Sequence, residues 1–121
     1  MVQYNSLYRD EHLEVDFQRN LVTLDAVPLV LTRKEFELLA LLVANACEIV
    51  PRDVLLMRVW GYSREIRTRT LDVHIRRLRK KLNRYGDQYI ETIFGVGYRF
   101  QRYREPRLIP SYLPALMATV A

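Results

Sequence analysis

The chain is notable first for what it has little of. It carries one cysteine, Cys47, so no internal disulfide can form and no cysteine-based metal set is available. Cys47 follows an apolar stripe, where a small buried thiol is the expected reading. Its two histidines, His12 and His74, fall in different predicted elements, and its four glycines form no phosphate-cradling loop. With neither a nucleophile–base pair nor a nucleotide loop, an enzyme is the weakest class, and no cofactor or metal is expected. No stretch approaches the roughly 20 apolar residues of a membrane span, and Met1–Asp10 lacks the apolar run of a signal peptide. A cytoplasmic protein without membrane contact is therefore expected. The strands do not clearly offer the aromatic platform that single-stranded RNA readers use.

What the chain does have is charge, unevenly placed. Its 121 residues carry a formal +5, but residues 1–50 hold four Lys/Arg against eight Asp/Glu, whereas residues 51–121 hold fifteen against six. A basic second half behind an acidic first half points to a polyanion partner without naming it.

The N-terminal stretch has the period of strands. Leu13, Val15 and Phe17 alternate with Glu14 and Asp16. Leu21–Asp25 and Val27–Leu31 predict two more strands, and Tyr4–Tyr8 adds a fourth. A helix then opens at Thr32, with Glu35 completing a capping box, Leu31 and Phe36 placed as a hydrophobic staple, and Phe36, Leu39, Val43 and Ala46 as its apolar face. A second helix runs from about Pro51 to Trp60, with Leu55, Leu56, Val59 and Trp60 inward and Gly61 as its stop. A third runs from about Thr68 to Arg84, stopped by Tyr85-Gly86-Asp87. Tyr89–Phe94 and Tyr98–Arg102 then flank Gly95-Val96-Gly97 as a hairpin. Beyond Tyr103 there are three prolines and no period, so residues 1–103 are read as one domain and 104–121 as a flexible tail.

The third helix concentrates the charge. At 100 degrees per residue Leu71, Ile75, Leu78 and Leu82 lie within about 60 degrees of one another and face the core. The opposite side receives Arg69, Val73, Arg76, Arg77, Lys80 and Arg84, with His74, Arg79 and Lys81 on the flanks. Asp72 is the single acid here, placed to pair with Arg76 at i+4. Arginine forks suit guanine edges and phosphates, and Val73 in the middle of the face suits a thymine methyl. A basic helix followed by a ribbon with a glycine-bearing tip describes a winged helix that reads duplex DNA. The runner-up is a protein-interaction module using the same surfaces.

Four motifs carry a family resemblance. Leu31-Thr32-Arg33-Lys34-Glu35-Phe36-Glu37-Leu38-Leu39, Val59-Trp60-Gly61, Arg69 through Leu82, and Gly95-Val96-Gly97-Tyr98-Arg99-Phe100 together resemble the OmpR/PhoB family of response-regulator effector domains, in order over about residues 5–103. The resemblance implies an α+β winged helix-turn-helix with a four-stranded antiparallel N-terminal sheet, three helices and a hairpin wing. It implies transcriptional control through direct-repeat DNA, bound as a head-to-tail pair. By position it assigns Arg69, Thr70, Val73, His74, Arg76, Arg77, Arg79 and Lys80 to DNA, with Trp60 and Thr92 as further contacts. For Trp60 a core anchor is an equal reading. RNA polymerase would meet the loop Tyr62, Ser63, Arg64 and Glu65. A sensor kinase would act only through a receiver domain, which these residues are too few to include, so an excised fragment and a standalone regulator both fit. Two positions depart from the family: Pro51 stands where many relatives cap the second helix with serine, and Phe94 stands where several place a minor-groove arginine. The alternation Ile90, Thr92, Phe94 predicts that Phe94 packs against the domain.

Overall fold

The computed structural model describes residues 6–61 and 68–104. Four strands come first, β1 (Leu7–Arg9), β2 (Leu13–Asp16), β3 (Leu21–Leu24) and β4 (Val27–Pro28), antiparallel in the order β1-β2-β3-β4. The expected four-stranded sheet is there, but β4 stops at Pro28 rather than reaching Leu31. Its inner face is the alternation read from sequence: Leu13 and Val15 of β2 and Val22 and Leu24 of β3 are buried. Asp16 Oδ1 accepts the amides of Gln18 and Arg19 at 3.0 Å and shapes the β2–β3 turn. Asp25 and Ala26, both with positive φ (49° and 66°), make the two-residue β3–β4 turn, the mirror-image geometry that matches strand twist.

Helix α1 (Arg33–Ala44) begins with the full capping box, Thr32 Oγ1 accepting from the Glu35 amide at 3.2 Å and Glu35 Oε1 from the Thr32 amide at 2.8 Å. Leu38, Leu39, Leu42 and Val43 are buried, while Phe36 and Ala46 pack only partly against the core. The apolar period was expected to run to Cys47, but α1 ends at Ala44 and Cys47, at φ 71°, is exposed. Strand β5 (Ile49–Pro51), too short to show a period, follows and leads into α2 (Arg52–Trp60). Pro51 caps α2 without a side-chain hydrogen bond, as the missing serine implied, and Gly61 closes it at φ 81°.

Helix α3 (Thr68–Lys81) lays Leu71, Ile75 and Leu78, with Leu82 just beyond its end, into the core at no more than 1 % exposure. It stops three residues before the expected Arg84, because Asn83 adopts a left-handed φ of 56°. A 3-10 turn (Asn83–Tyr85) and a short helix α4 (Gly86–Tyr89) fill what was read as a stop and a strand start. Gly86 is required there, since a Cβ would stand 2.3 Å from the Arg79 carbonyl oxygen.

The last strands, β6 (Ile90–Ile93) and β7 (Gly97–Phe100), form the hairpin, and β5 joins it in the order β5-β7-β6. Gly97 pairs with Pro51 so closely that a Cβ would meet the Val50 carbonyl at 2.0 Å. The wing is thus the outer part of a three-stranded sheet rooted beside α2.

One carboxylate ties the two ends together. Asp10 accepts the His12 and Leu13 amides at 2.8 and 2.9 Å, the Tyr8 hydroxyl at 2.5 Å and the Tyr89 hydroxyl at 2.7 Å. Burial opposes its charge, but these donors offset it and hold the carboxyl below its usual pKa.

Candidate nucleic-acid interface

The buried stripe of α3 fixes which way its other face points. Arg69, Arg76, Arg77 and Lys80 are exposed on that face, and Thr70, Val73 and His74 are half-buried beside them. Arg69, Arg77 and Lys80 make no hydrogen bond or ion pair with other described residues. Arg84 lies past the helix end, its guanidinium 5.0 Å from the centre of the Tyr85 ring.

The helix is held in place by side chains from elsewhere in the fold, which sequence reasoning did not anticipate. Asp72 does not bond to Arg76. It takes a bidentate pair from Arg52 at 2.8 and 2.9 Å and the Tyr98 hydroxyl at 2.6 Å, joining α3 to α2 and β7. The bonds from Arg52, more than the opposing desolvation, hold Asp72 below the usual carboxylate range, so it is ionised at neutral pH. Arg79 turns inward to the wing, donating to the Ile90 carbonyl at 2.7 Å and to Thr92 Oγ1 at 2.7 Å. Lys81 reaches Glu35 of α1 at 2.5 Å, and Glu35 is only 1 % exposed. Desolvation works against the Glu35 charge, but Lys81 and the Thr32 amide prevail and lower its pKa.

The expected site residues therefore divide. The structure brings Arg69, Thr70, Val73, Arg76, Arg77 and Lys80 together on one accessible face. Arg79 and Thr92 are bonded to each other and join that face to the wing. His74 bonds through Nδ1 to the Thr70 carbonyl at 2.8 Å and meets the edge of Trp60 at 4.8 Å; Trp60 packs partly into the core. Tyr62, Ser63, Arg64 and Glu65 lie outside the described residues.

At the wing tip Val96 N–H donates to the Ile93 carbonyl at 2.9 Å, and Gly95 takes a φ of 76° at the third turn position. The Arg52 amide donates to the Val96 carbonyl at 3.0 Å and fastens the tip to α2. Phe94 does not pack as expected. It is 89 % exposed, because β6 ends at Ile93 and strand alternation no longer governs the turn.

Among the described residues no group of three or more His, Cys, Asp or Glu is placed to hold a metal, and no helix is long and apolar enough to cross a membrane.

Residues 26–100 match the family model described as "Transcriptional regulatory protein, C terminal". The chain is 49 % identical over 78 residues to response regulator ArlR of Staphylococcus saprophyticus, an alignment covering 64 % of this chain and 36 % of ArlR. It superposes on DrrB, a Thermotoga maritima OmpR/PhoB homolog, with a TM-score of 0.74 at 35 % identity, over 80 % of this chain and 45 % of DrrB. The Klebsiella pneumoniae RstA DNA-binding domain, solved in complex with the RstA box, matches with a TM-score of 0.71 at 31 % identity, over 80 % of this chain and 98 % of that domain. The chain thus spans less than half of full-length ArlR and DrrB but nearly all of the isolated domain. With the four-stranded sheet, the pinned basic helix and the hairpin, these matches show that the chain belongs to the OmpR/PhoB-type family of response-regulator effector domains, winged-helix DNA-binding units of transcriptional regulation.

Proposed function

We propose that this domain binds duplex DNA sequence-selectively, with α3 in the major groove, as the output unit of a two-component response regulator. The observation that carries the reading is the outward face of α3, four exposed cations around Val73 on a helix locked by Asp72, Arg79 and Lys81. A rigid helix presenting arginine forks suits base edges, and the surrounding charge suits phosphates. Arg76 and Arg77 are assigned to bases, Arg69 and Lys80 to phosphates, and Val73 to a thymine methyl. Arg79 and Thr92 serve as the brace between helix and wing. Direct-repeat sites, head-to-tail pairing, polymerase contact through Tyr62–Glu65, a flexible tail over 104–121 and a cytoplasmic location complete the proposal.

Selection from random duplexes tests it. Recovery of a motif repeated about one helical turn apart supports both the reading and the tandem assembly. Arg77→Ala should relax preference at one position, whereas Lys80→Ala should weaken all duplexes alike and lower the salt slope by about one. Recovery of no motif would return the domain to the protein-interaction class.

A further inference from the structure

Phe94 stands at the second position of the wing turn, where most residues are accommodated and nothing calls for an aromatic ring. Its ring is 89 % exposed, and Val96 two residues on is 47 % exposed. The fold gains almost nothing from either, yet the tip that carries them is firmly held. Gly95 supplies the turn, Arg52 binds the Val96 carbonyl, and Gly97 is wedged against Val50.

The tip also has a fixed relation to α3. Arg79 clasps Thr92 and the Ile90 carbonyl, and Asp72, seven residues earlier on the helix, receives the Tyr98 hydroxyl from the other wing strand. The ribbon therefore lies along the helix, and Phe94 projects about 7 Å beyond Thr92 at the usual strand rise. A helix fills a major groove about 12 Å wide, so a ribbon fixed at its side meets the sugar–phosphate edge and the minor groove beyond it. The cations of α3 would draw a duplex onto this side of the molecule.

Resting on the DNA-binding reading above, we propose that Phe94 is a DNA-contacting wedge that enters the adjacent minor groove, stacks against a flexible pyrimidine–purine step and bends the duplex, with Val96 against the sugars. An aromatic ring in that position selects by deformability of the step, not by hydrogen bonds. The preference would lie in the flanks, outside the bases that α3 reads.

The test uses the whole chain with Phe94, Phe94→Ala and Phe94→Leu. Thermal melting, affinity for a duplex chosen by random selection, and bending by end-to-end fluorescence transfer are measured on each. Expected are unchanged melting temperatures, an affinity about tenfold lower for alanine with leucine between, and loss of both bend and flanking-step preference. Alanine binding and bending like the parent would overturn the wedge, as would a large fall in melting temperature. A defect seen only on duplexes with two half-sites would also overturn it, by placing Phe94 against a second copy. Failure of the parent itself to select any duplex would remove the DNA reading and the wedge with it.

Discussion

The N-terminal sheet and the outward face of α3 handle charge in opposite ways. In the sheet, acids and bases interleave and pair: Arg9 meets Glu14 at 2.7 Å, Arg19 meets Asp16 at 4.0 Å, and His12 meets Asp25 at 2.5 Å. On α3 the single acid, Asp72, is held by Arg52 and Tyr98, and Arg69, Arg77 and Lys80 face solvent with no described partner. Uncompensated like charges on adjacent turns repel and lower helix stability by a few tenths of a kcal/mol each. A partner that neutralises them recovers that cost and releases its own counterions. The contrast separates a surface built to be solvated from one built to be covered by a polyanion.

The largest expected effect comes from abolishing the contrast. Replacing Arg69, Arg77 and Lys80 together by alanine should lower duplex affinity about a thousandfold and flatten log K against log salt by about 2.7 units. Melting temperature should hold or rise slightly, because only repulsion is removed. A protein that loses its melting transition would show that these cations support the fold after all.

The next variant acts on a cation of α3 that is not on offer. Glu35→Ala leaves Lys81 and the Thr32 amide without their acceptor, and should cost about 2 kcal/mol, read by urea unfolding. Since the folded pKa of Glu35 lies below its ordinary 4.5, its contribution is present above that pH and fades as pH falls through the folded value. Parent and Glu35→Ala stabilities should therefore converge toward acid. A gap that persists unchanged at low pH would mean that lost packing, not the ion pair, sets the effect.

These two kinds of cation could not be told apart by reading along the chain. Helical period identified the buried stripe of α3, and local chemistry identified the Thr32–Glu35 box, because both depend on residues within a turn or two. Glu35–Lys81 and Arg52–Asp72 span 46 and 20 positions, so only the folded chain shows which charges are spoken for. Phe94 failed for a related reason. Its alternation with Ile90 and Thr92 is real as far as Ile93, where the strand ends. Cys47 was likewise assigned to a helical stripe that stops at Ala44. Strand β5 gave no signal of its own, because three residues become a strand only by pairing with β7.

On the sheet side, Ala26 offers a smaller, local change. It holds a φ of 66° in the turn before β4, a conformation costing an L-residue roughly 1 kcal/mol that glycine adopts freely. Glycine also has more freedom in the unfolded chain, which takes back part of the gain. Ala26→Gly should stabilise by up to about 1 kcal/mol in denaturant unfolding and leave DNA affinity unchanged. Destabilisation would mean that the Ala26 methyl contributes packing that the turn geometry hides.

The smallest expected effect tests the sheet's half of the contrast directly. Arg9 and Arg19 are well exposed, and each already faces a carboxylate, so removing either trades a weak surface pair for a solvated acid. Such pairs contribute about 0.2–1 kcal/mol, less at physiological salt. Arg9→Ala with Arg19→Ala should therefore shift stability by under about 1 kcal/mol in total, and less still as salt rises. The double variant also lowers net charge by two, nearly as much as the triple α3 variant lowers it. If overall charge governed association, duplex affinity would fall substantially here as well. If placement governs, affinity and salt slope should stay within about twofold and a few tenths of the parent, since no phosphate contact is lost. A steep loss from the sheet variant would extend the DNA-binding surface across the N-terminal strands and end the distinction between the two faces.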